Sequence, residues 1–162
     1  MREYLRVKLA GYPMDKLCLW PGNVSYMSQC LESYGCLDVK DKTVIDIGAD
    51  WGNSVVFWWL RGAKKIIAYE SNPNCFTALK SLAKRGVPLD FRGPWHREYP
   101  DGDVLKIDCE GCESDFYSGN LANYAQWAFA LHESTFDKRG AIIEMGGRLH
   151  HAQAGEEVWV KT

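Results

Sequence analysis

The sequence predicts an α/β protein built on a doubly wound, mostly parallel sheet that ends in an antiparallel hairpin. Three observations predict it. Short β-branched runs alternate with segments of helical spacing between Thr43 and Glu133. The first run, Thr43 to Ile47, empties into a glycine turn followed by an apolar helical segment, the opening of a strand–helix–strand crossover. The tail "GRLHHAQAGEEVWVKT" reads as two strands joined around Gly155.

The elements follow in chain order. Met27, Cys30, Leu31 and Tyr34 recur at helical spacing and Gly35 stops the pattern, which predicts a leading helix from Asn23 to Tyr34. "TVIDI" is the first strand, and "NSVVFWWL" is apolar nearly all round, as for a helix held between a sheet and other elements. "KIIAYE", Lys65 to Glu70, is a second buried strand. Asn72 then caps a helix with Pro73 at its first position, Phe76, Leu79, Leu82 and Ala83 on one face, and Gly86 and Pro88 at its end. "VPLDFR" is a weak third strand, "DVLKID" a strong fourth and "WAFALHE" a fifth.

The chain has 162 residues, 46% hydrophobic and 25% charged, with a net charge of -2. This is the profile of an ordinary globular protein of about one domain. We expect a single domain over 1–162: a lead-in at 1–42, a core at 43–133 and a carboxy-terminal helix and hairpin at 134–162. The balance offers nucleic acid no charge-based attraction. There is no apolar stretch of about 18 residues, and "MREYLRVKLAGYP" lacks the apolar segment of a signal peptide. The expected location is the cytoplasm, with the six cysteines (18, 30, 36, 75, 109 and 112) reduced.

Ligands of open α/β sheets bind beyond the carboxyl ends of the strands, where the turn Gly48-Ala49-Asp50-Trp51-Gly52 sits. A dinucleotide turn places a second glycine against a pyrophosphate. Here that place holds Asp50, which repels phosphate. A ligand with an adenosine, no phosphate and a positive centre fits better. S-adenosylmethionine is such a ligand: Asp46 or Asp50 faces its sulfonium or ammonium, and Glu70, at the end of the second strand, accepts the ribose hydroxyls. Ser71 and Asn72, which follow Glu70, join this cofactor set together with Asp108.

Three segments carry a resemblance to a known family: "VIDIGADWGNS", "YESNPNCFTALKSL" and "DVLKIDCEGCE". In their order and spacing, across Lys42 to Glu133, they resemble the FkbM-like family of S-adenosylmethionine-dependent methyltransferases. The resemblance implies a Rossmann-like methyltransferase fold and methyl transfer, typically to a hydroxyl oxygen. It implies Asp46, Gly48 and Gly52 around the methionine end, Glu70 at the ribose, and Asp108, Glu110, Gly111 and Glu113 at the active-site rim. Asp50 and Trp51 depart from the family pattern. The short stretch "GPWHREYPDG" leaves the adenine contacts unassigned, and the chain has little material for a substrate-capping domain.

Methyl transfer is an in-line displacement, so alignment and a proton acceptor are what the protein supplies. Asp108 ends the fourth strand, and Glu110, Glu113, His132 and Glu133 can approach it; His132, which titrates nearest neutrality, is the candidate base. Asp108, His132 and Glu133 could instead hold a divalent ion such as magnesium or manganese, though no metal is expected. Cys109 and Cys112 are read as packing residues rather than a redox pair, and Lys106, inside a strand, either snorkels or pairs with an acid. The expected partner is a small-molecule, glycan or lipid hydroxyl acceptor, with a homo-oligomer as one way to close the site. The alternatives are a non-catalytic binding module of the same fold and, below it, a nucleic-acid methyltransferase, which would carry a base-gripping motif where Asp108-Cys109-Glu110-Gly111 stands.

Overall fold

A computed structural model describes residues 24–115 and 121–162. The reading of the amino-terminal segment, Cys18 and the expected start of the leading helix at Asn23 lie outside these residues. Helix α1 spans Val24–Tyr34 and is followed by strand β1, Thr43–Ile47, and helix α2, Asn53–Leu60. Strand β2 is Lys65–Tyr69; a 3-10 turn at Pro73–Cys75 leads into helix α3, Phe76–Lys84, and strand β3, Leu89–Phe91. Strand β4 is Val104–Ile107 and strand β5 is Gln126–His132. A 3-10 segment, Glu133–Lys138, continues into helix α4, Arg139–Glu144, and strands β6, Arg148–Gln153, and β7, Glu156–Lys161, end the chain.

The seven strands form one sheet in the order β3-β2-β1-β4-β5-β7-β6. The first five are mutually parallel, whereas β7 runs antiparallel to β5 and β6 antiparallel to β7. This is the doubly wound sheet with a terminal hairpin that the sequence predicts. Its order reverses between β1 and β4, so the crevice for a ligand opens at the carboxyl ends of those two strands.

Alternation along the strands sorts two cores. Val44, Ile66, Val104 and Ala128 face α1, α2 and α3, whereas Ile45, Ile67, Leu105 and Trp127 face the layer that contains Tyr124 and Ile142. Helix α2 has six buried residues, Trp58 among them, because it is covered by α1 on one side and the sheet on the other. The Asn72 side chain accepts a hydrogen bond from Asn74 N–H at 3.1 Å, capping the turn that starts at Pro73. The hairpin carries an irregularity: pairing of β6 with β7 shifts register between Leu149 and His151. Among the described residues no helix is long and apolar enough to cross a membrane.

The cysteine expectation is corrected in one place. Cys109 and Cys112 form a disulfide, while Cys30, Cys36 and Cys75 are free. The left-handed backbone of Glu110 (φ 57°) and the positive φ of Gly111 (131°) bend the chain so that the two sulfurs meet.

Candidate functional site

A cavity of about 600 Å³ opens over the carboxyl ends of β1, β2 and β4. Its floor is the turn after β1. Gly48 has φ 81°, and the space where a Cβ would stand is taken by the carbonyl of Asp108. Only glycine lets β1 and β4 close up here. Gly52 is also left-handed, at φ 91°, but its missing Cβ makes room for Leu82 Cδ1 at 2.5 Å. It therefore packs the turn onto α3 and does not line the cavity, which corrects the expected ligand contact.

Glu70 reaches the cavity from the end of β2. Asp50 N–H donates to its Oε2 at 2.7 Å and Asn72 N–H to its Oε1 at 2.7 Å. The carboxylate is thus fixed in orientation, with lone pairs left over for a ligand's hydroxyls. Asp50, Ser71 and Asn72 line the same end. Asp50, at φ 46°, accepts a contact from the Cys75 thiol at 3.5 Å.

Asp46 does not face the cavity directly. It is fully buried, accepts a hydrogen bond from Trp58 Nε1 at 2.9 Å, and lies 3.1 Å from Lys106 Nζ. Position 46 shares the sheet face of Val44, which points at α2, so its carboxylate meets the indole rather than solvent. The sequence left two readings of Lys106; the structure selects the ion pair. Its ammonium also donates to the carbonyls of Ile47 and Gly48 and lies 3.9 Å from Asp108. Burial alone would lower its pKa, but Asp46 and then Asp108 outweigh burial and raise it.

Asp108 lines the cavity at the end of β4, where Tyr34 Oη donates to its Oδ2 at 2.7 Å. Sequence reasoning placed Tyr34 on the buried face of a leading helix and assigned it no polar role. Burial and then Asp108 push the phenol well above its usual range, so it stays a donor.

Beyond Asp108, the expected rim divides. Glu110 stays on the rim with its side chain 83% exposed. Glu113 is buried and accepts hydrogen bonds from Cys109 N–H at 2.7 Å and Gly111 N–H at 2.6 Å, so it holds the turn rather than meeting a ligand. Burial would raise its pKa, yet His132 and those backbone donors outweigh burial and lower it.

His132 stands behind this turn, with Nδ1 3.5 Å from Glu113 and Nε2 3.7 Å from Asp108 and 3.4 Å from Glu110. These are ion-pair distances rather than short hydrogen bonds. The Glu113 carboxylate raises its pKa to about 9, with Asp108 and Glu110 adding to this against burial. Ringed by these carboxylates the imidazole favours its charged form, which weakens it as the expected base.

Its effect on stability has a definite sign. A pKa raised in the folded state adds stability fully present below about 6.5 and lost as pH rises through about 9. His132→Asn should lower the thermal midpoint at pH 6, and the difference from the parent protein should shrink by pH 9.5. The stabilisation at stake is on the order of 2 to 3 kcal/mol. A difference that stays constant across this range would remove the imidazolium from the account.

The alternative metal set of Asp108, His132 and Glu133 is not assembled among the described residues. Glu133 turns toward Gly155 at the hairpin. Glu113 takes its place, giving three donor atoms within 4.8 Å of one another. Both Glu113 oxygens already accept backbone N–H groups and His132 lies among three carboxylates, so an ion here would share its ligands with the turn.

No family model matches the chain. "Uncharacterized protein 158B" of Sulfolobus islandicus rod-shaped virus 1 is 36% identical over 126 residues, covering 72% of this chain and 77% of that protein. "Uncharacterized protein 65" of Sulfolobus islandicus filamentous virus (isolate Iceland/Hveragerdi) is 32% identical over 146 residues, covering 88% and 89%. The chain belongs to this viral protein family. A shorter stretch of the chain is similar to ribosomal protein L11 methyltransferase of Acinetobacter baumannii (strain AYE), 39% identical over 74 residues, which are 46% of this chain and 25% of that protein.

Among solved structures, precorrin-6y C5,15-methyltransferase from Geobacter metallireducens GS-15 superposes with a TM-score of 0.65 at 14% identity, covering 87% of this chain and 88% of that one. Aeropyrum pernix fibrillarin, solved with natively bound S-adenosyl-L-methionine, gives 0.64 at 12% identity over 89% and 76%. At this identity the likeness is one of fold: the chain has the Rossmann-like methyltransferase fold.

Proposed function

We propose that the protein is an S-adenosylmethionine-dependent methyltransferase of FkbM-like type that acts on a hydroxyl oxygen. The observation that carries this reading is Glu70, pinned by two backbone N–H groups at one end of a cavity whose other end is Asp108. Such a placement suits an adenosine ribose at the first position and a reacting centre at the second. The cavity fits the cofactor in one further respect: the buried Asn53 Oδ1 on its lining has no hydrogen-bond partner among the described residues. An acid-rich lining with only a buried lysine does not favour a polyanionic acceptor. The continuous sheet from Thr43 to Lys161 supports treating the chain as one domain.

When bound, the cofactor supplies an electrophilic methyl group on a sulfonium. The chain's own contribution is positional and electrostatic. Glu70 accepts from the ribose hydroxyls. Lys106 ties the floor of the cavity to β4 through the carbonyls of Ile47 and Gly48. Asp108, held by Tyr34, accepts the hydrogen bond of the acceptor hydroxyl and takes its proton.

Calorimetric titration with S-adenosylmethionine and S-adenosylhomocysteine tests the reading. Both should bind, and Glu70→Ala should weaken each by about 1.5 to 3 kcal/mol, the scale of hydrogen bonds to a charged group. If the intact, folded protein binds neither, the reading falls and a binding module without turnover takes its place.

A further inference from the structure

The half of the cavity farthest from Glu70 has an unusual charge balance. Around Asp108 stand the carboxylates of Asp46, Glu110, Glu113 and Glu156, against two cations, Lys106 and His132. Lys106 is the only cationic residue lining the cavity among the described residues, and its side chain is 2% exposed and committed to Asp46 and two carbonyls. The guanidinium of Arg139 is committed to both oxygens of Glu157. Five acids and two bases leave three negative charges, of which the sulfonium of a bound cofactor offsets one. The rest call for positive charge in the second substrate.

Two features show that this is a built site. Ser33, 1% exposed, lines the cavity with a hydroxyl that has no partner among the described residues. Helix α1 also lines the cavity, through Tyr26 and Gln29, and Tyr26 is 49% exposed. An exposed aromatic ring in a cavity that carboxylates also line can attract an ammonium group. Glu156 enters at the start of β7, opposite His132 in the pairing of β5 with β7, and is steadied by Gln153 Nε2 at 2.9 Å.

Resting on the methyltransferase reading, we propose that the acceptor is a hydroxyl compound carrying a protonated amine, its ammonium received by Glu110 and Glu156 while its hydroxyl meets Asp108. An amine kept protonated by two carboxylates has no lone pair with which to attack, so oxygen is left as the nucleophile. In the transfer the methyl–sulfur bond breaks and a methyl–oxygen bond forms. The hydroxyl proton passes to Asp108, neutral S-adenosylhomocysteine leaves, and the ammonium is unchanged.

Matched probes test this. Glucosamine against N-acetylglucosamine, and serinol against glycerol, differ in the charged amine while keeping hydroxyl groups, and each is titrated with and without S-adenosylhomocysteine. The amine-bearing member of at least one pair should bind ~10-fold tighter or better. E156Q and E110Q should each cut that ratio to within about 3-fold, as should raising salt from about 0.05 to 0.5 M. Equal or tighter binding of the uncharged members, no saturable binding by either amine, or tighter binding of a short oligouridylate overturns the proposal. Failure of the cofactor titration itself would fall on the underlying reading, because the pairs are also compared without it.

Discussion

Gly48→Ala is expected to cost the protein about 4 kcal/mol or more and to abolish cofactor binding. The new Cβ would be driven into the Asp108 carbonyl oxygen, with Cys109 Cα at 2.9 Å, on a backbone held at φ 81°. All of these neighbours are main chain, so no rotamer change relieves them, and β1 must part from β4. Gly52→Ala provides the comparison. Its φ is 91°, but its nearest neighbour is the end of the Leu82 side chain, which can turn aside, so the cost should be about 1 to 2 kcal/mol. Urea unfolding of the two variants measures the difference. A Gly48 variant as stable as the Gly52 variant would mean that the β1–β4 approach is looser than described.

The second large effect concerns Asp46 and Lys106. Asp46→Ala or Lys106→Met alone should destabilise by about 3 to 5 kcal/mol, because each leaves a buried charge without its main partner. The double substitution Asp46→Leu with Lys106→Met should recover much of that loss, since two apolar side chains replace a pair whose desolvation consumes most of its attraction. Trp58 Nε1 loses its acceptor in both Asp46 variants, so recovery will be incomplete by about 1 kcal/mol. The double-mutant cycle decides it: strictly additive losses would show that the two charges do not depend on each other.

The Asp46–Lys106 pair also shows where sequence reading stops. Strand positions were legible because β-branched runs are short and bounded by glycine or proline, and β1 and α2 fall on the predicted residues. The terminal hairpin was legible from the turn at Gly155. The direction of individual side chains was not. Asp46 and Gly48 stand two residues apart in one motif, yet the first points at Trp58 and the second at the cavity floor, and only pairing with β4 decides which is which. Glu113 and Glu133 were equally plausible neighbours of His132; the tight turn at Glu110 and Gly111 brings the first inward, while the 3-10 segment after His132 carries the second away. Tyr34 reaches Asp108 across 74 positions of sequence, a separation no local pattern encodes. The disulfide was missed because a single Cys-x-x-Cys in a protein of ordinary composition carries no local sign of its backbone bend.

The register shift between Leu149 and His151 has a consequence for the protein in crowded solution. Among the described residues a sheet of this order has two unpaired edges, β3 and β6. At one, three residues, Leu89–Phe91, are too few to template another chain, and Asp90 is bound to Lys65 and Arg92. At the other, six residues would form an open ladder were it not for that shift, which bends the strand and breaks the regular row of unpaired donors and acceptors. Charged Arg148 and the two histidines that follow Leu149 add polarity to that edge. Both of these edges are therefore poor seeds for edge-to-edge stacking, the second because its pairing is the least regular in the sheet.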